Sequence, residues 1–199
     1  MKKITVVIVN WNGLENLKIL IPSLRKQTFK DFDIIVSDNG STDGSVEWMK
    51  KNKIRFVENG KNLGFPAGAN RGMQKVKTRY TIVLNDDMYV DKNCFRILYN
   101  FIKRHPEAGG VQSLLVNFNH ELVESTGLIV TYGSYIATNA RGKKFTKSMT
   151  RIEPHEVLGV GGGCSIFRTD VVRKLGFFDE RFSPGYYEDA DLSFRIRRA

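Results

Sequence analysis

Two adjacent carboxylates, Asp86 and Asp87, follow the apolar run TIVL and Asn85 in the stretch YTIVLNDDMYVD. Burying such a pair without a partner is costly, so a cation, a nearby Lys or Arg, or exposure in a turn must account for it. Mg²⁺ takes one or two protein carboxylates and completes its octahedron with waters and substrate phosphates. Two acids at a strand end therefore suit a metal that arrives with a diphosphate; a tight turn of exposed acids is the equal alternative. A second acid pair, Glu188 and Asp189, lies beside aromatics in GYYEDADL. In a partly apolar pocket such an acid holds a raised pKa and serves as a general base, while at a helix start it only complements the dipole. Asp38, in SDNGSTDGS, can accept hydrogen bonds from a base N–H or from ribose hydroxyls, or it belongs to a cluster of turn formers. Arg71, in GANRGM, could meet a diphosphate or stand exposed on a helix. Gly161, Gly162 and Gly163 allow a backbone to approach a ligand closely or to turn sharply. His105, His120 and His155 have no metal-ligand spacing, and Cys94 and Cys164 form no C-x-x-C pair, so neither a zinc site nor a disulfide scaffold is signalled.

These residues need elements to carry them, and the first half of the chain alternates between two periods. ITVVIV (4–9), FDIIVSD (32–38), IRFVE (54–58) and YTIVLN (80–85) read as strands. Residues 14–27, a short stretch opened by STDGS, 65–77 and 92–105 read as helices, with Pro22 predicting a kink or early break in the first. Alternation of this kind predicts an α/β fold with a Rossmann-like, mostly parallel central sheet flanked by helices. Ligands of such sheets lie outside the carboxyl ends of the strands, so the loops NWNG (10–13), 37–45, 58–68 and 85–87 should meet at one edge. Past residue 110 the segments GVQSLLVNF (110–118), ELVESTGLIVTYG (121–133) and SYIATNARG (134–142) suggest shorter strands in a smaller antiparallel portion. A Gly-rich turn then leads into a strand within 156–170, a short helix spans 170–176, and EDADLSFRIRRA is helical. The chain stops inside that last element, which predicts a longer parent protein.

The 199 residues suit one sizeable domain, 41% hydrophobic and 26% charged. MKKITVVIVNWNG imitates a signal peptide, but its apolar run is too short and Asn10 interrupts it. No stretch approaches the roughly 18 apolar residues of a membrane span; a cytoplasmic location is the default. A net charge of +10, from 31 Lys and Arg against 21 Asp and Glu, favours anionic partners. No nucleic-acid-binding module accompanies it, so no nucleic-acid partner is expected.

The order of the motifs is more specific than any one of them. VNWNG, then SDNGSTDGS, NLGFPAGANRG, LNDD and GGGCSIFR…LGFFDERFSPGYYEDADLSFR closely resembles the family 2 glycosyltransferases of the GT-A fold, from Ile4 to Arg197, and most of all a rhamnosyltransferase-like branch. The resemblance implies a nucleotide-binding half over 1–110 and an acceptor-binding half over 111–199. It implies an inverting transfer of sugar from a nucleoside-diphosphate sugar, a UDP- or dTDP-sugar, to a saccharide or lipid-linked acceptor at the inner face of the membrane. Asn10, Asn12, Asp38, Asn70, Arg71 and Asp86 would lie at the nucleotide. Asp87, with Asp86, would hold Mg²⁺ or Mn²⁺, Asn85 standing where the strict motif has Asp. Asp189 would be the base, with Glu188 beside it, and Gly162 and Gly163 would face the acceptor. Two other readings stand beside this one. A nucleotidylyltransferase would need a Gly-rich basic signature after the first strand, which NWNGLEN lacks; an inactive nucleotide-sugar-binding module would bind without turnover.

Overall fold

The computed structural model describes residues 2–132, 135–151 and 153–199. Its centre is a six-stranded sheet. Strands β1 (Ile4–Asn10), β2 (Phe32–Asp38), β3 (Phe56–Glu58) and β4 (Tyr80–Asn85) alternate with helices α1 (Leu14–Arg25), α2 (Ser45–Lys51), α3 (Gly64–Met73) and α4 (Cys94–Arg104). There follow β5 (Gly110–Gln112), β6 (Leu115–Val116), β7 (Val123–Ser125), β8 (Leu128–Val130), β9 (Ile136–Thr138), β10 (Cys164–Arg168), α5 (Thr169–Lys174) and α6 (Glu188–Arg197). The sheet order is β3-β2-β1-β4-β10-β5. β1 pairs in parallel with β2 and β4, and β3 in parallel with β2. β10 runs antiparallel between β4 and β5. The carboxyl ends of β1 to β5 and the start of β10 therefore share one edge. The smaller antiparallel portion consists of the pairs β6-β7 and β8-β9; Gly133 and Ser134, at the join of the second and third segments read there, lie outside the described residues.

Period-two alternation of β-branched residues builds the two layers. Ile4, Val6 and Ile8 of β1 and Ile82 and Leu84 of β4 pack with Leu17, Leu20, Ile21 and Leu24 of α1 and Phe95, Leu98 and Ile102 of α4. Val7, Val9 and Val83 point the other way, against Ala69 and Met73 of α3, Val172 of α5 and Leu192 of α6. α1 carries Pro22 within it and ends three residues later at Arg25, two residues short of the sequence expectation. β3 starts at Phe56 rather than Ile54 because the Ile54 N–H turns back to the Met49 carbonyl. The loop after β4 is pinned from the segment just past α1: buried Gln27 donates to the Asp91 carbonyl at 2.6 Å and accepts the Phe95 N–H at 3.1 Å. Among the described residues no helix is long and apolar enough to cross a membrane.

Candidate functional site at the carboxyl edge of the sheet

β4 delivers Asn85, Asp86 and Asp87 to this edge. Asp86 lies against Gly13, which ends the loop after β1: a side-chain Cβ at Gly13 would overlap the Asp86 carboxylate and stand 2.7 Å from Asn10 Oδ1. Burial, with the charge of Asp87 added, pushes the Asp86 carboxyl up to about 6 despite a hydrogen bond from the Asn16 side chain. Among the described residues neither acid has a Lys or Arg within ion-pair distance. Two further oxygens, Asn10 Oδ1 and Asn85 Oδ1, are buried without a donor. Carboxylate and amide oxygens are the donor set of a hard cation, and Gly13 leaves room beside Asp86. The residues present thus fit Mg²⁺ or Mn²⁺. No group of three His, Cys, Asp or Glu side chains gathers among the described residues, so a cation here would draw further ligands from substrate oxygens or water.

Next to it, the ends of β1 and β2 are cross-tied. Asn10 Nδ2 donates to Asp38 Oδ1 at 2.8 Å and to Ser41 Oγ at 3.0 Å. The Ser41 hydroxyl donates to Asp38 Oδ1 at 2.6 Å and its N–H to Asp38 Oδ2 at 2.9 Å. Asn12 Oδ1 accepts the Thr42 N–H at 2.8 Å. The sequence reading gave Asp38 to the base or ribose. The fold buries it to 1% exposure and bonds both oxygens to Asn10 and Ser41, so it anchors the 38–45 loop. Asn70 and Arg71 also need correction. Asn70 is 3% exposed and clamps the Phe178 backbone, accepting its N–H at 3.0 Å and donating to its carbonyl at 2.9 Å. Arg71 is exposed on the last turns of α3, about 10 Å along the axis from the helix start that faces the edge.

α6 begins with the second acid pair. Tyr186 and Tyr187 immediately before it have φ of 77° and 69°, a left-handed conformation that costs about 1–2 kcal/mol per residue and concentrates at functional sites. Glu188 is 6% exposed, with Oε2 buried and unpartnered. Burial, with the charge of Asp189 added, pushes its carboxyl up to about 7. Burial also raises Asp189, against bonds from the Ala190 and Gly162 N–H groups; the second of these reaches Asp189 Oδ2 at 3.3 Å. The Gly163 carbonyl, one residue on, accepts the Asn85 N–H at 3.2 Å. The three-glycine turn thus contacts both Asp189 and the strand end that carries Asp86 and Asp87. The Phe65 ring packs against Gly162 from the first turn of α3.

The edge assembles Asn10, Asn12, Asp86, Asp87, Gly162, Gly163, Glu188 and Asp189, and leaves Asn70 and Arg71 outside. Sequence reasoning missed Gly13, Asn16 and Ser41, all inside or just after segments already marked as edge loops.

From residue 5 to residue 176 the chain matches the model of Glycosyl transferase family 2. The cholesterol galactosyltransferase of Borreliella burgdorferi is 35% identical over 105 residues, 51% of this chain and 29% of that one. The N-acetylglucosaminyl-diphospho-decaprenol L-rhamnosyltransferase of Mycobacterium tuberculosis is 25% identical over 218 residues, 98% of this chain and 70% of that one. Among solved structures, S. aureus TarS superposes with a TM-score of 0.71 at 18% identity, over 98% of this chain and 55% of that one; it has also been crystallised with UDP-GlcNAc. A mannosyltransferase from Pyrobaculum calidifontis, in complex with GDP-Man and Mn²⁺, gives 0.68 at 14% identity, over 98% and 51%. At these identities the structural likeness is one of fold. The chain spans 29% of the galactosyltransferase and about half of each solved chain.

Proposed function

The chain belongs to Glycosyl transferase family 2, and from that premise we propose that it moves a sugar from a nucleoside-diphosphate sugar to an acceptor hydroxyl, inverting the anomeric carbon. One observation carries the reading: a single turn, Gly161–Gly163, contacts both the strand end that carries the acid pair Asp86–Asp87 and a buried carboxylate with a raised pKa, Asp189. A leaving group and a base placed on opposite sides of a reacting carbon are what inversion requires. Asp87 and Asp86 would hold a divalent cation, which neutralises the charge of the departing diphosphate. The loops after β1 and β2, cross-tied through Asn10, Asn12, Asp38 and Ser41, form the floor for the nucleoside. Asp189 takes the proton of the acceptor hydroxyl as its oxygen bonds the anomeric carbon. The bond from that carbon to the diphosphate oxygen breaks, and the nucleoside diphosphate leaves with the electron pair. Burial, with the charge of Asp189, favours the protonated form of Glu188.

We assign the donor to the UDP- and dTDP-sugars and the acceptor to saccharides or lipid-linked saccharides. Support comes from the relative whose name gives a decaprenol-linked substrate and from the neighbour crystallised with UDP-GlcNAc. The net charge of +10 suits work at the anionic inner face of a membrane. The test is nucleotide release from UDP-GlcNAc, GDP-mannose and dTDP-rhamnose with Mn²⁺ or Mg²⁺, with the anomer of the product read by NMR. One donor should be consumed, with inversion, and EDTA should stop the reaction. Turnover indifferent to EDTA, or retention at the anomeric carbon, would contradict the mechanism.

A further inference from the structure

We infer that Gln112 is a positioning residue for the base: it fixes the glycine turn whose amide orients Asp189. The inference rests on the reading of Asp189 given above. Gln112 is the last residue of β5, paired with Ser165 of β10. Its Oε1 accepts the Gly161 N–H at 2.6 Å, while its Nε2 donates to Ser125 Oγ at 2.8 Å. Ser125 is itself buried and accepts the Gly127 N–H at 3.1 Å, so the amide cannot swing without breaking a second loop. The Gly161 carbonyl accepts the Ser165 hydroxyl at 2.6 Å. Both backbone groups of Gly161 are therefore held by side chains of the adjacent strands β5 and β10, and the next N–H, that of Gly162, meets Asp189 Oδ2. A Cβ at Gly161 would stand 3.3 Å from Gln112 Oε1 and 3.4 Å from Asp189 Oδ2, so the two oxygens flank one α-carbon.

The residue type matters as much as the place. An amide accepts the Gly161 N–H without adding charge beside Asp189. The groups facing Asp189 are Glu188 and the Ala190 N–H from its own helix, the Gly161–Gly162 backbone from the turn, and neutral Gln112 from β5. Among the described residues no Lys or Arg bonds it. A Glu at 112 would keep the bond to Gly161 but place a second negative charge there, which raises the pKa of a neighbouring acid. A Leu would remove the acceptor and leave the Gly161 N–H unmatched.

The experiment uses the whole chain with Gln112→Leu and Gln112→Glu. Its readouts are nucleotide release from whichever of UDP-GlcNAc, GDP-mannose and dTDP-rhamnose the wild type consumes, the pH profile of that rate, and the titration of Asp189 followed by carbon NMR. Gln112→Leu should lower kcat by about 10–100-fold, the scale set by a displacement of about 1 Å, with KM for the donor nearly unchanged. Gln112→Glu should keep most of kcat at alkaline pH and move the acid limb, and the Asp189 titration, to higher pH. An unchanged kcat in Gln112→Leu, or an unmoved limb and titration in Gln112→Glu, overturns the role. If Gln112→Leu fails to fold, the Glu variant decides alone. A wild type that consumes no donor, with Asp189 still shifted in Gln112→Glu, overturns the transferase reading and leaves the coupling between Gln112 and Asp189 standing.

Discussion

Replacing Asp189 by Asn is expected to lower sugar transfer by at least about 10³-fold while leaving nucleotide affinity within a factor of about two, a loss within the range of a general base. The substitution keeps volume and shape, and one oxygen remains to accept the Ala190 N–H, which now bonds Asp189 Oδ1 at 2.7 Å. What disappears is the capacity to take a proton, together with the acceptor for the Gly162 N–H. Asp86 and Asp87 lie across the Gly161–Gly163 turn, so the donor's diphosphate end is untouched. The pH dependence follows from the same burial. A base must be ionised to act, and burial raises the Asp189 pKa. The wild-type rate should therefore fall, on acidification, at a higher pH than an ordinary Asp would give. The residual rate of Asp189→Asn should lack that limb. Steady-state kinetics across pH 4–9, roughly the span between ordinary Asp and the onset of Tyr and Lys titration, measures both. Preserved turnover in the variant would remove Asp189 from the mechanism.

Gly13→Ala is the second large effect, and a less obvious one. Gly13 has φ −108° and ψ 34°, outside the left-handed region, so the objection to a side chain is steric. The new methyl would occupy the place of the Asp86 carboxylate and crowd Asn10 Oδ1. Asp86 must then swing away from Asn85 and Asp87. Metal-dependent nucleotide affinity should drop by about 100-fold or more, equivalent to about 3 kcal/mol, while thermal stability changes little because Asp86 gives up a desolvated position. In the Gly13→Ala/Asp86→Ala double variant the methyl has nothing to displace, so the two losses should be far from additive. Additive losses, or unchanged affinity in Gly13→Ala, would show that Asp86 does not bind where the structure holds it.

Most of the sheet was legible because its strands obey simple rules. β2 and β4 run from the first to the last residue of their apolar runs, and the fold class follows from the alternation of periods 2 and 3.6. The antiparallel insertion of β10 between β4 and β5 was not legible, since strand order depends on contacts between residues far apart in sequence. Cys94 and Cys164 make the same point: distant in the chain, they pack at the same core cluster. For the site, acids at strand ends could be found from local pattern and topology together. The direction of a side chain could not. Asp38 and Asp86 both lie at strand ends, yet one is bonded to Asn10 and Ser41 and the other has, among the described residues, no Lys or Arg within ion-pair distance. Asn70 and Arg71 sit in a motif-like segment, but helical rise carries them away from the edge. Gln112 acts through a turn some fifty positions later, which no local pattern can announce.

The central claim is that Asp86 and Asp87 bring in a donor diphosphate through a divalent cation. Calorimetric binding of UDP, dTDP and GDP to the wild type and to Asp87→Asn, each with Mn²⁺, Mg²⁺ or EDTA, tests it most directly. The account predicts one preferred nucleotide, bound only with metal and lost in the variant. Binding that survives both EDTA and Asp87→Asn would return the acid pair to a structural turn and contradict the account.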